Sequence, residues 1–142
     1  MNSTTISIPS ALPVVNVVRG DSAAGVSQAR QAACAFSDRL TPAPRPDMED
    51  TLVLVVSELV TNALRHGGGA FSLRLTAHPD AVEVAVDDVS PRMSRMRAPD
   101  LTDAGGGFGF GFGWPMVNRL ARTTAITRRR AGGKTVTAYL PR

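Results

Sequence analysis

The stretch Ser57 to Gly69, SELVTNALRHGGG, has the pattern of an amphipathic helix that ends at three glycines. Glu58, Asn62 and His66 recur at four-residue steps along one flank of this helix. Because that flank borders the apolar face, the row is predicted either as an ordinary solvated edge or as the wall of a site, and the helix pattern alone favours the edge. The apolar face itself recurs at steps of three and four residues; its members are Leu52, Val56, Leu59 and Ala63.

Asn62 weakens the interpretation as an ordinary edge. Asparagine is a poor helix former, whereas solvated helix flanks usually carry Lys, Arg or Glu. An amide oxygen held in the middle of a helix suits the ligation of a hard cation.

The segments on either side of this helix predict one small domain. The 142 residues are 43% hydrophobic and 20% charged, which is typical of a globular chain. Residues 1–11 are polar and small and are predicted to be a loose leader, with a single domain over residues 12–142. Alternation and turn residues predict a strand at 12–20, a helix at 22–40, the quoted helix from a cap at Asp47 to about His66, a hairpin at 70–88, a short helix at 114–121 and a second hairpin at 123–141.

Strands that are grouped in hairpins, with helices gathered on one face, predict an α+β fold. We expect a two-layer α/β sandwich whose sheet is mixed but mostly antiparallel. The strict alternation of strand and helix that a Rossmann fold requires is missing.

Charge and cysteine content exclude several classes of protein. One cysteine, Cys34, rules out an internal disulfide framework and a cysteine-rich zinc site. The net charge of +4 is compatible with acidic partners. The basic run Arg128–Arg130 has no aromatic residues between its arginines, and this lack disfavours nucleic-acid binding. No signal peptide and no apolar run of about 18 residues is present, so we predict a cytoplasmic protein without membrane contact.

The segment Val84 to Pro91, VAVDDVSP, ends a strand with two carboxylates. Strand alternation predicts that Asp88 points inward with the valines and that Asp87 points outward. A buried carboxylate needs a hydrogen-bond donor. The donor can be the amine of an adenine or, alternatively, a capped turn through Ser90.

Glycines alternate with phenylalanines directly before the short helix at 114–121. Glycine allows the backbone to approach a phosphate, and helix N-termini favour anions. No lysine follows in the spacing of a Walker loop. The alternative is a flexible linker.

Taken together and in this order, these stretches resemble the GHKL (Bergerat-fold) ATP-binding superfamily, and within it the small anti-sigma-factor serine-protein kinases of actinobacterial type. ELVTNALRH is similar to the N box of that family, VAVDDVSP to its adenine-binding G1 box, and GFGW to its G2 box. The resemblance covers roughly residues 22 to 142.

The resemblance implies ATP and Mg²⁺ as cofactors and assigns roles by position. Asn62 would ligate Mg²⁺, Glu58 would be the general base for a serine hydroxyl, and Asp88 would bind the adenine amine. Residues 92–110 would form the ATP lid. The remaining cofactor-binding residues would be Arg65, His66, Gly107, Gly109, Gly111, Gly113 and Thr135.

The resemblance also implies a function. The protein would sequester a sigma factor and phosphorylate a serine of an antagonist (anti-anti-sigma) protein. The resemblance leaves open whether the protein forms a homodimer. The superfamily has glycines where this chain has Val89, Ser90 and Pro91. A catalytically inactive binding module of the same fold is therefore the main alternative, and a basic nucleic-acid-binding protein is the second.

Overall fold

The computed structural model describes residues 15–90 and 113–142. The predicted leader and the segment 91–112, which contains most of the glycine-rich stretch, lie outside the described residues. The order of elements is the predicted one: β1 (Val15–Gly20), α1 (Ala23–Asp38), α2 (Met48–His66), β2 (Phe71–His78), β3 (Ala81–Asp88), α3 (Gly113–Leu120), β4 (Thr123–Arg128) and β5 (Lys134–Pro141).

The described strands form one sheet in the order β1-β2-β3-β5-β4. All pairings between these strands are antiparallel, where a mixed, mostly antiparallel sheet was expected. The α+β class and the two-layer arrangement are confirmed. Because β5 pairs with β3, the C-terminal hairpin lies beside the central hairpin, and the end of β3 meets the beginning of β5.

Helix α2 lies over the centre of the sheet, where it contacts β2, β3 and β5. The four apolar residues predicted for its inner face are buried, and Val55 and Val60 are buried with them. Full burial of a Val or Leu side chain contributes roughly 1.5–3 kcal/mol. This face therefore fixes the rotation of α2 about its own axis and, with it, the position of the polar flank.

Helix α1 packs against α2 and β1. Ala29, Ala33 and Phe36 are buried on its inner face. On the exposed side, the Arg30 Nε donates a hydrogen bond of 3.0 Å to the Ser57 hydroxyl and links the two helices.

The predicted cap at Asp47 is only half right. Asp47 is the N-cap residue of α2, but its side chain makes no capping hydrogen bond. The carboxylate lies 3.8 Å from the Arg45 Nε instead. The backbone carbonyl of Asp47 accepts the first helical bond, from Thr51 N–H at 3.1 Å.

The second hairpin, predicted at 123–141, turns at Gly132 and Gly133. Both glycines have positive φ, 102° and 82°, which side chains other than glycine rarely adopt. The basic run falls at this turn: β4 ends at Arg128, and Arg129 N–H binds the Gly133 carbonyl. In the part of the chain that is described, no helix is long and apolar enough to cross a membrane.

Candidate functional site

A small cavity that opens to solvent lies between the C-terminal end of α2 and the centre of the sheet. Four of its lining side chains are apolar and four are polar or charged. Its lining residues are Leu59, Asn62, Ala63 and His66 from α2, Val86 and Asp88 from β3, and Lys134 and Val136 from β5.

Asp88 is the polar centre of this cavity and is 3% exposed, as its inward parity predicted. Its carboxylate Oδ2 lies 2.7 Å from the Lys134 Nζ. Its Oδ1 accepts a hydrogen bond of 3.0 Å from the Ser90 N–H, so the turn that was considered as an alternative is present. Both oxygens of Asp88 thus have a protein donor, and the lone pairs that remain can accept from a ligand.

Lys134 was missed by the sequence analysis, although a signal for it exists. In β5, Val136, Ala138 and Leu140 are buried, and Lys134 shares their parity. The register of the sheet sets it directly opposite Asp88. Removing either partner of an ion pair buried in this way leaves an uncompensated charge, at a cost of about 3–5 kcal/mol.

Two glycines close the backbone around Asp88. Gly67 ends α2, and its carbonyl accepts a hydrogen bond of 3.0 Å from Val89 N–H. A Cβ atom on Gly67 would lie 2.6 Å from the Asp88 Oδ2. Gly133 packs its Cα against the carbonyl of Asp88, where no Cβ could fit. The end of α2, the end of β3 and the start of β5 are therefore one tightly packed unit.

The polar row on α2 divides in two. Asn62, at 9% exposed, and His66, an exposed residue at the helix end, both line the cavity. Glu58 lies one turn earlier, is half-buried and does not line the cavity. Partial burial raises the pKa of the Glu58 carboxyl above its ordinary value, and the charge of Arg65 opposes this in part.

Thr135 lies on the face of the sheet that is opposite to the helices. Its hydroxyl donates a hydrogen bond of 2.5 Å to the Asp87 Oδ1. Arg74 Nη2 is 3.4 Å from the same oxygen, and Arg129 Nε is 3.9 Å from Oδ2. Asp87 thus points away from the helices as predicted, but its carboxylate is covered by these donors and is only 15% exposed. Thr135 is not brought into the cavity.

The glycine-rich stretch is only partly described. Gly113 is the first residue of α3, which packs against α2 and β5, and Pro115 lies in the first turn of that helix. Proline is tolerated there because the first N–H groups of a helix have no partner inside it. The predicted cofactor-binding residues that lie outside the described part of the chain are Gly107, Gly109 and Gly111.

A comparison with known protein families identifies the family of this chain. Residues 21–140 match the family of the histidine kinase-like ATPase domain. Because the match spans most of the chain, the protein belongs to that family, and the GHKL-type superfamily predicted from the sequence is confirmed. Membership in an ATPase family implies that ATP binds. A comparison with curated proteins finds no match.

Among the described residues, the candidate ligand for Mg²⁺ is Asn62. No group of three or more His, Cys, Asp or Glu residues that could hold a metal ion occurs within 15–90 or 113–142. Mg²⁺ commonly needs no such cage, because it is bound by one or two protein oxygens together with substrate phosphates and water. The amide oxygen of Asn62 at the cavity wall can supply one such ligand.

Proposed function

We propose that this chain is an ATP-dependent serine-protein kinase of the anti-sigma-factor type. The observation that carries the proposal is that Asn62 from α2 and Asp88 from β3 line one cavity, while α3 packs against α2 and β5. Phosphoryl transfer depends on binding, on charge neutralisation and on an oriented acceptor, and these parts have candidates here.

In this proposal the cavity holds the base of ATP. The apolar side chains of Leu59, Ala63 and Val86 provide walls for a flat aromatic ring, and Asp88 provides the acceptor for its amine. A ligand pocket of this type is mostly apolar with a few polar groups that fix orientation. Asn62 would hold Mg²⁺, which supplies neutralisation of phosphate charge when it is bound.

Glu58 is proposed as the general base. The oxygen of a serine on the partner protein attacks the γ-phosphorus, the bond to the β,γ-bridging oxygen breaks, and ADP leaves with that electron pair. The serine proton goes to Glu58. A carboxylate whose pKa is raised by burial is a better proton acceptor near neutral pH than an ordinary one.

The proposed partners are a sigma factor, which the chain would sequester, and an antagonist protein that carries the acceptor serine. Both follow from the resemblance of the N box and its neighbouring motifs. The net charge of +4 suits acidic partner surfaces and would speed association at low salt. A cytoplasmic location, where sigma factors act, belongs to the same proposal.

The experiment that tests this function is incubation with γ-labelled ATP, Mg²⁺ and a panel of candidate antagonist proteins. Transfer of label to a serine of one of them is expected. If the chain binds ATP but labels no partner, while a known serine kinase labels its own substrate in the same buffer, the kinase proposal is wrong.

A second candidate function is an ATP-binding module without catalysis. Two observations favour it: Glu58 lies outside the cavity lining, and Val89 and Ser90 follow Asp88 where the superfamily has glycine. In that case the same assay would show ATP binding and capture of a sigma factor without label on any partner.

A further inference from the structure

Lys134 is a buried cation at the wall of the cavity. Its side chain is 4% exposed, and lysine is almost never this buried unless it is paired. Its partner is Asp88 Oδ2 at 2.7 Å. Nothing in the proposed function uses this lysine, although it lines the same space as Asn62 and Asp88.

The geometry gives the cavity a donor beside an acceptor. A lysine ammonium carries three N–H donors, and the bond to Asp88 uses one of them. Asp88 Oδ1 is held by Ser90 N–H, so the carboxylate cannot turn away from the lysine without losing that bond. The strand register and the close packing of Gly133 fix Lys134 opposite Asp88. The pair is therefore a rigid polar edge.

Adenine carries the complementary edge. Its amine donates a hydrogen bond, and the neighbouring ring nitrogen N1 accepts one. We propose that Lys134 is a specificity-determining residue that donates to N1 of adenine while Asp88 accepts from the amine. The inference rests on the proposed function, because it assumes that ATP enters this cavity with its base against Asp88.

A structural role for Lys134 gives a different expectation. A lysine that only neutralises Asp88 would support the binding of every nucleotide equally. A lysine that reads N1 must instead distinguish ATP from 1-deaza-ATP, in which N1 is replaced by a C–H group. The difference between the two nucleotides, compared across protein variants, isolates the contact from any general effect on the pocket.

The experiment measures the Kd of ATP, 1-deaza-ATP and 7-deaza-ATP with Mg²⁺ for the natural chain and for Lys134→Met. The natural chain is expected to bind 1-deaza-ATP about 10- to 100-fold more weakly than ATP, as the loss of a hydrogen bond to a charged group implies. In Lys134→Met the two nucleotides are expected to bind within about 3-fold of each other. 7-Deaza-ATP is the control, because its altered atom is not on the proposed edge; its affinity relative to ATP should be the same in both proteins.

Lys134→Met leaves Asp88 as a buried charge without its cation, so the variant is checked by circular dichroism and thermal melting. If it does not fold, the double variant Asp88→Asn/Lys134→Met replaces it, since that variant leaves no charge buried alone. The same near-equality of ATP and 1-deaza-ATP is expected there.

Three results separate the possibilities. If the natural chain binds ATP and 1-deaza-ATP equally, or if the lysine variants keep the full preference for ATP, the role of Lys134 is wrong and the proposed function stands. If the natural chain binds none of the three nucleotides, the proposed function fails and this inference fails with it.

Discussion

Gly67 and Asp88 lie so close together that a Cβ atom on the glycine would stand 2.6 Å from the carboxylate Oδ2. The contact joins the end of α2 to the end of β3, the two elements that carry Asn62 and the proposed adenine acceptor. The glycine stop after α2 is thus part of the site as well as the end of a helix.

Gly67→Ala is expected to push Asp88 out of place. Accommodating the extra methyl group should lower the free energy of unfolding by about 1–3 kcal/mol and weaken ATP binding. Gly69→Ala is the matched control: Gly69 has φ of 88° with nothing within 4 Å of its Cβ position, so only backbone strain is added. Chemical denaturation and ATP titration of both variants measure the two effects. Equal ATP affinity in Gly67→Ala and the natural chain would show that this packing does not position Asp88.

Glu58→Ala is expected to keep ATP binding and to lose phosphotransfer, because Glu58 lies outside the cavity lining and is proposed only as the base. Loss of a general base typically lowers the rate about 10²- to 10⁴-fold. Ser57→Ala, one residue away on the same helix and bonded to Arg30, is the control for the fold. The measurement is label transfer at saturating ATP. Transfer at the natural rate in Glu58→Ala would remove Glu58 from the mechanism.

The direction of the Glu58 pKa shift predicts how the stability of the fold changes with pH. Burial, opposed by the Arg65 charge, makes the folded chain bind this proton more tightly than the unfolded chain, whose glutamate pKa is about 4.5. Between that value and the raised pKa the folded state holds a proton that the unfolded state has lost, so the contribution of Glu58 to stability falls as the pH rises through this window.

Glu58→Gln is accordingly expected to be more stable than the natural chain at about pH 7.5 and equally stable at about pH 3.5. The gain should stay below about 1 kcal/mol because the side chain is only half-buried and water screens its charge. Urea unfolding at the two pH values measures it. A variant that is less stable at the higher pH would mean that the charged form of Glu58 is stabilised by the fold.

Thr135→Val separates the two faces of the sheet. The Thr135 hydroxyl binds Asp87 on the face away from the helices, so the substitution should cost about 0.5–1.5 kcal/mol of stability and leave ATP affinity unchanged. Calorimetric titration and a thermal melt give the two numbers. A clear loss of ATP affinity would support the role that the resemblance gives Thr135 in cofactor binding.

The fold could be predicted from the sequence because its periodic patterns are strong. The apolar stripe of α2 and the alternation of Val82, Val84 and Val86 each leave only one face that can be buried, and the structure buries it. The inward direction of Asp88 followed from the same parity. Local patterns of this kind need no knowledge of which strands are neighbours.

The partner of Asp88 could not be predicted in the same way. Lys134 stands opposite Asp88 only because β5 pairs with β3 rather than with β2, and that choice depends on the packing of the whole sheet. The position of Thr135 could not be predicted for the same reason. Lys134, its neighbour in sequence, lines the cavity, whereas Thr135 faces the other side of the sheet. The sequence pattern identifies the correct strand, and the register of the sheet determines which of its residues points at the site.

An ATP site built on Asn62 and Asp88 can be measured by calorimetric titration of ATP, with and without Mg²⁺, into the natural chain and into Asn62→Ala. Thr61→Ala, on the adjacent helix position and outside the cavity lining, is the matched control. Saturable binding that Mg²⁺ strengthens is expected in the natural chain and in Thr61→Ala, while Asn62→Ala should lose the strengthening by Mg²⁺. Unchanged Mg²⁺-ATP affinity in Asn62→Ala would show that Asn62 is not a Mg²⁺ ligand, and no ATP binding by the natural chain would rule out the site as a whole.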